Sequence, residues 1–252
     1  MDRDGCGEIK GCLFKPAGCD PMRDCTIGII FYVSGQNLLT IQVVATIQLP
    51  PPPLQYIAIG FSRDSSMGDD MVSECVLSPT GDEFALEPEV FVSYNIGKSN
   101  DRIFLNATEQ AALIRNVQGE AVNGRVSCQW SQEIIPQQPS KGGRLWNLNH
   151  KYYIMGATGS AQPAGINSHD TAMASHFYPI VSARPINPSV IGKKLYDLPK
   201  PYSSPDPPST PPPPPTTTTI ERPKENSSNV NTFTNAILLF CISKLIFLVN
   251  NF

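Results

Sequence analysis

Histidine is scarce in this chain: 3 in 252 residues, at His150, His169 and His176. Charge is sparse too, since Asp, Glu, Lys and Arg make up 16% against the roughly 25% usual for soluble domains. The formal net charge is −3, which leaves no basic footprint for nucleic acid. No G-x-S-x-G elbow, P-loop or H-E-x-x-H is present, so three common routes to hydrolysis or nucleotide chemistry are missing. Gly156-Ala-Thr-Gly159 follows a strand pattern without opening a helix and does not read as a dinucleotide site. No apolar run reaches the roughly 20 residues of a bilayer-spanning helix, and no stretch sustains a 3.6-residue period. A polytopic membrane protein and a coiled coil are thereby excluded.

Proline is abundant, at 25 residues, but unevenly placed: ten fall within Pro201–Pro223 and four in Pro50–Pro53. The first cluster, with five consecutive prolines and then four threonines, is extended and cannot bury a core. It reads as a stiff stalk after one folded body, in preference to an SH3-type ligand. The expected division is a Cys-rich lead-in over 1–25, a β-sandwich over 26–195, a linker over 196–235 and an apolar tail over 236–249. That tail, AILLFCISKLIFLV, is short and broken by Lys244, and small residues and a polar spacer precede it. It fits a GPI-attachment signal better than a single-pass anchor, and either would tether the body to a membrane. The opening MDRDGCGEIK has no apolar core of a secretory leader. The expectation is that the natural start lies upstream; an upstream in-frame stop without a leader would refute it.

Cys6, Cys12, Cys19, Cys25, Cys75 and Cys128 lie in the body, and Cys241 lies in the tail. An even count favours disulfides in an oxidising compartment. Zinc is the rival reading, but no C-x-x-C pair supports it. Six cysteines allow 15 pairings; Cys75 with Cys128, across a sheet, is the expected long-range bridge. Sequons at Asn106 and Asn226 agree with a secretory route.

The body reads as strands. In Ile41–Gln48 the apolar Ile41, Val43, Ala45 and Ile47 alternate with more polar partners. Similar runs fall at Thr26–Val33, Tyr56–Phe61, Val90–Tyr94, Val126–Trp130 and Lys151–Ala157. One short helix is expected over Thr108–Arg115, and Pro50–Pro53 must be a loop or edge connection. The fold class is all-β, an antiparallel sandwich or barrel.

Within Ile57–Val76 a strand runs into the polar loop Met67-Gly68-Asp69-Asp70. Taken alone, this is a surface turn whose methionine packs inward as filler. The block G-F-S-x-D-x-x-M-G-D-D of Gly60–Asp70, however, resembles the DOMON domain of ferric-chelate-reductase-like proteins. The cysteine-rich opening of Cys6–Asp20, the Y-Y-I-M-G-A-T-G of Tyr152–Gly159 and the histidine-bearing Gly165–Ser182 also fit, in the same order.

The resemblance implies an immunoglobulin-like β-sandwich and, as in many members, a b-type haem held between a methionine and a late histidine. Met67 matches the methionine. His169, in Ile166-Asn-Ser-His169, is preferred as the histidine, with His176 as the alternative; His150 matches nothing and is a turn residue. Tyr153 and Met155 are expected pocket walls, or else ordinary core. Without C-x-x-C-H, covalent c-type attachment is excluded. Thioether and imidazole suit haem iron and raise its potential, so the expectation is electron exchange with a small reductant such as ascorbate or a membrane b-type cytochrome, without bond-making catalysis. A stalk and tail stand where the transmembrane cytochrome module would continue, so a surface-tethered module is expected rather than an intact reductase. The runner-up is a haem-free surface module for adhesion or for a sugar or other ligand; ferric reduction by the protein itself ranks third.

Overall fold

Period-two patterning becomes two antiparallel sheets in the computed structural model, which describes residues 1–79 and 87–192. The stalk, the Asn226 sequon, Cys241 and the apolar tail lie outside the described residues. Among the described residues no helix is long and apolar enough to cross a membrane.

The first sheet has the order β1 (Gly11–Lys15), β2 (Ile27–Gly35), β3 (Leu38–Thr46), β9 (Arg125–Glu133) and β8 (Ile114–Val122). The lead-in is thus part of the sandwich, since β1 forms its edge strand. The second sheet runs β11 (Gly165–Ile166), β10 (Tyr153–Gln162), β4 (Gln55–Ser62), β5 (Met71–Leu77), β6 (Glu89–Ile96) and β7 (Ser99–Arg102). A further short strand, β12 (Ile180–Val181), pairs with β10. All six strands read from the sequence are present with shifted ends: β3 stops at Thr46, two short of Gln48, β2 begins at Ile27 and β10 at Tyr153, while most other ends run on by one to five residues. The strands β1, β5, β7, β8, β11 and β12 are additional.

Alternation decides which side chains meet between the sheets. Leu39, Ile41, Val43 and Ala45 of β3 are fully buried, opposite Val126, Cys128 and Trp130 of β9. Ile57, Ile59 and Phe61 of β4 come from the other sheet into the same core. Full burial of each such aliphatic or Phe side chain stabilises by about 1.5–3 kcal/mol. The β8–β9 turn, Asn123-Gly124, has φ of 52° and 73°, the left-handed pair that a two-residue hairpin requires. The short helix, α1, spans Ala107–Leu113. It starts where Asn106 accepts from the Glu109 N–H while Glu109 accepts from the Asn106 N–H. It ends at Ile114, whose extended backbone begins β8. Pro50–Pro53 forms the loop between β3 and β4.

The six body cysteines pair as Cys6–Cys12, Cys19–Cys25 and Cys75–Cys128. The third pair joins β5 to β9, and so spans the gap between the two sheets rather than crossing one. With these sulfurs bonded to one another they are not free as zinc ligands, even where Asp24 lies beside Cys19 and Cys25.

Candidate functional site

β4 and β5 are buried on both faces, which a sandwich core alone does not explain. Register shows where the second faces go. Gly60 lies opposite Met155 and Val72, Ala58 opposite Ala157 and Glu74, and Tyr56 opposite Gly159 and Val76. These residues point away from the main core into a smaller cluster completed by Leu54, Ala161, Phe91 and Ile166. The sheet curls over this face: Arg102 Nη1 on β7 donates to the Pro163 carbonyl at the β10–β11 turn, 2.7 Å away, so its two edges meet. The result is a second, packed apolar cluster with small residues on β4 and β10. A Cβ on Gly159 would come within 2.8 Å of the Tyr56 ring, so that ring can lie over β10 only because glycine is there.

The Met67 loop joins β4 to β5 at one end of this face, between Ser62 and Met71. Gly68 has φ of 147° and Asp69 of 56°, so the loop reverses through conformations that favour glycine. Asp70, 1% exposed, clamps it: its Oδ2 accepts from the Gly68 N–H at 2.7 Å and from Asn95 Nδ2 at 3.3 Å. Its carbonyl accepts from the Asn95 N–H, and its Oδ1 is buried without a partner. Burial pushes the Asp70 carboxyl up against the opposing pull of Gly68, Ser62 and Asn95. Met67 itself is 38% exposed and does not pack inward as filler. Tyr153 and Met155, both half-buried, continue this face on β10.

The two candidate histidines part company. After the β10–β11 turn the chain doubles back beside β10: Ile166 lies opposite Ala161, the Asn167 N–H donates to the Ser160 carbonyl, and Val181 lies opposite Met155. His169 sits on this return leg, half-buried, with Nδ1 3.0 Å from the Asp170 carbonyl, which leaves Nε2 free of that contact. His176 turns instead toward the other sheet, where Thr26 Oγ1 lies 3.0 Å from its Nε2 and Phe177 stands edge-on to it. Thr26 bonds Thr46, Thr46 bonds Gln55, and Gln55 begins β4. The Met67 loop leaves the far end of that strand, seven residues on and roughly 23 Å away at 3.3 Å per residue. The leg that carries His169 also starts from the Gln55 end, where Ile166 lies opposite Ala161 and Ala161 bonds Leu54, so the described contacts join neither histidine to Met67. His150 is exposed in the turn before β10.

A polar chain that sequence reasoning missed lies beside the apolar cluster. Glu74, fully buried, accepts from Arg102 Nε at 2.6 Å and from Ser93 Oγ at 3.0 Å. Asn100 Nδ2 links Ser93 to Asn95, which joins Asp70. A lone acid within the apolar run Met71–Leu77 was the available signal; Arg102, in the polar SNDR, gave none. Burial pushes the Glu74 carboxyl up more than Arg102 and Ser93 pull it down. The folded chain therefore holds this proton more tightly than the unfolded chain does. The associated stability is complete below the ordinary glutamate value and is lost as pH rises through the raised one. Glu74→Gln is expected to flatten the fall of unfolding free energy across that window, measured by denaturant titration at stepped pH. An equal slope in both proteins would contradict this.

Comparison with known proteins places this arrangement. A Danio rerio protein named "Putative ferric-chelate reductase 1" is 27% identical over 189 residues, 74% of this chain and 29% of its own length. The DOMON domain-containing protein FRRS1L of Homo sapiens is 25% identical over 169 residues, covering 66% of this chain and 50% of that one. Ferric-chelate reductase 1 of Bos taurus is 26% identical over 166 residues, 65% of this chain and 24% of its own. The chain thus spans about a quarter to a half of these relatives. No protein-family model matches it, and no solved structure matches it. Over two thirds to three quarters of its length, then, the chain resembles the DOMON-bearing, ferric-chelate-reductase-like proteins.

Proposed function

We propose that the body is a one-electron redox module that binds b-type haem non-covalently, with Met67 and His169 as axial ligands. The observation that carries this reading is the apolar second face of the sheet, with an exposed thioether on the loop at one end and a half-buried imidazole on the segment beside β10. The residues suit the group chemically: soft sulfur and neutral imidazole are haem-iron donors, and the small Ala58, Gly60 and Ala157 neighbour one another on β4 and β10. Bound haem supplies reversible one-electron iron chemistry at a potential raised by methionine ligation. The chain's own residues do the rest. Asp70 holds the Met67 loop through the Gly68 N–H, and Val72, Val76, Phe91 and Ile166 keep water from the face. His169 is preferred to His176 because the latter ring is engaged with Thr26.

Haem held by both Met67 and His169 would pass electrons and would offer no substrate-binding site on iron. The proposed donors are a small reductant such as ascorbate or a membrane b-type cytochrome, at an extracellular membrane surface. Three disulfides fit the oxidising compartment. Reductive titration of the haem-loaded full chain is expected to consume one electron per chain, with ascorbate competent as donor. Ferric-chelate turnover on the isolated protein would instead make it an enzyme. Asn106 is exposed, and its Oδ1, not its Nδ2, caps α1, so the amide nitrogen is open to a glycan. Asn106→Gln is expected to abolish a glycosidase-sensitive mass shift in the secreted protein; a shift that survives would place the glycan elsewhere.

A second reading, a haem-free ligand-binding module, is favoured by a depression of about 290 Å³ on the first sheet. Gln42, Gln118, Gln129, Ser127 and Glu120 line it, a polar set suited to a hydroxylated ligand such as a sugar. Calorimetry with oligosaccharides in wild type and Gln129→Ala tests it; no heat with any of them would remove this reading.

A further inference from the structure

Arg102 lies across the second face of the sheet, beside the smaller apolar cluster. Its guanidinium lies 3.7 Å over the Phe91 ring, Nε donates to Glu74, and Nη1 donates to the Pro163 carbonyl. Pro163 stands in the β10–β11 turn, six residues before His169. The turn is knitted onward by Asn167, whose Nδ2 donates to Ser160 Oγ at 3.0 Å and whose Oδ1 accepts from Gln162 Nε2 at 3.3 Å. From the other side of Glu74 the chain of Ser93, Asn100, Asn95 and Asp70 ends on the Gly68 N–H, one residue after Met67. One hydrogen-bonded network therefore joins the segments that carry the two donors.

We infer that Arg102 is a positioning residue for His169, strapping the β10–β11 turn to the opposite edge of the sheet, with Glu74 as its anchor. This rests on the haem reading. Arg102 bonds two elements that do not pair with β7, its anchor Glu74 on β5 and the β10–β11 turn, and the turn leads to His169.

The test uses the full chain as wild type, Arg102→Gln and the neutral double Glu74→Gln/Arg102→Gln, since the single variant leaves a buried carboxylate unpaired. In the haem-free proteins, hydrogen exchange at Gly165–Asn167 is expected to speed up at least tenfold in the double variant, with β3 and β9 unchanged. In the haem-loaded proteins, the double variant is expected to show a growing five-coordinate fraction and a shifted midpoint potential, and Arg102→Lys a partial return to wild type. Unchanged exchange would overturn the strap. Faster exchange with an unaltered haem spectrum and potential would overturn positioning and leave a brace. A wild type that takes up no haem would defeat the haem reading and the ligand role together, and exchange would then report on the strap alone.

Discussion

Replacing both Cys75 and Cys128 by alanine is expected to lower the unfolding free energy by about 4 kcal/mol, the largest loss of any disulfide here. The bridge spans 53 residues of sequence, against 6 for each of the other two. Loop-closure entropy grows with the logarithm of that length, which gives about 4 kcal/mol for the long bridge and about 2 for each short one. Alanine is the better replacement because both sulfurs sit in the core, where a serine hydroxyl would add a desolvation cost of its own. Guanidinium unfolding measures the difference. A rise in its slope is also expected, because the reduced chain opens further. A loss under about 1 kcal/mol would mean that the sheets are held together by packing alone.

Arg102→Gln alone is expected to cost about 3–5 kcal/mol, because it leaves the Glu74 carboxylate buried and unpaired. The Glu74 side chain is fully buried and that of Arg102 is 15% exposed, so solvent screens the pair little. Glu74→Gln on the same background is expected to restore most of the loss: a neutral amide can still accept from Ser93 and carries no charge to desolvate. A double-mutant cycle by chemical denaturation isolates the coupling. Additive effects would show that the two side chains act independently, and would remove Glu74 as the anchor of the strap.

Strands with one buried face were legible because their alternation is local. Ile41, Val43 and Ala45 declare β3 without reference to any partner. β5 was not legible: Met71–Leu77 is buried on both faces, so Ser73 and Glu74 interrupt the apolar pattern where tertiary partners satisfy them. β8 escaped for the opposite reason, being a largely exposed edge strand with an irregularity between Arg115 and Gln118. The helix could be read because TEQAALIR is local. The site divides the same way. Met67 and the histidines came from a family resemblance. The network from Asp70 to Arg102 joins residues far apart in sequence on three strands, and no spacing rule reaches it. The engagement of His176 with Thr26 also crosses between sheets, 150 residues apart, and only the folded chain reveals it.

The proposed binding of one haem by Met67 and His169 is tested most directly by the absorption spectrum of the haem-supplemented full chain as wild type, Met67→Ala, His169→Ala and His176→Ala. A six-coordinate b-type spectrum is expected in wild type and in His176→Ala, lost in each of the other two. Loss in His176→Ala alone, or no haem uptake by the wild type, would contradict it.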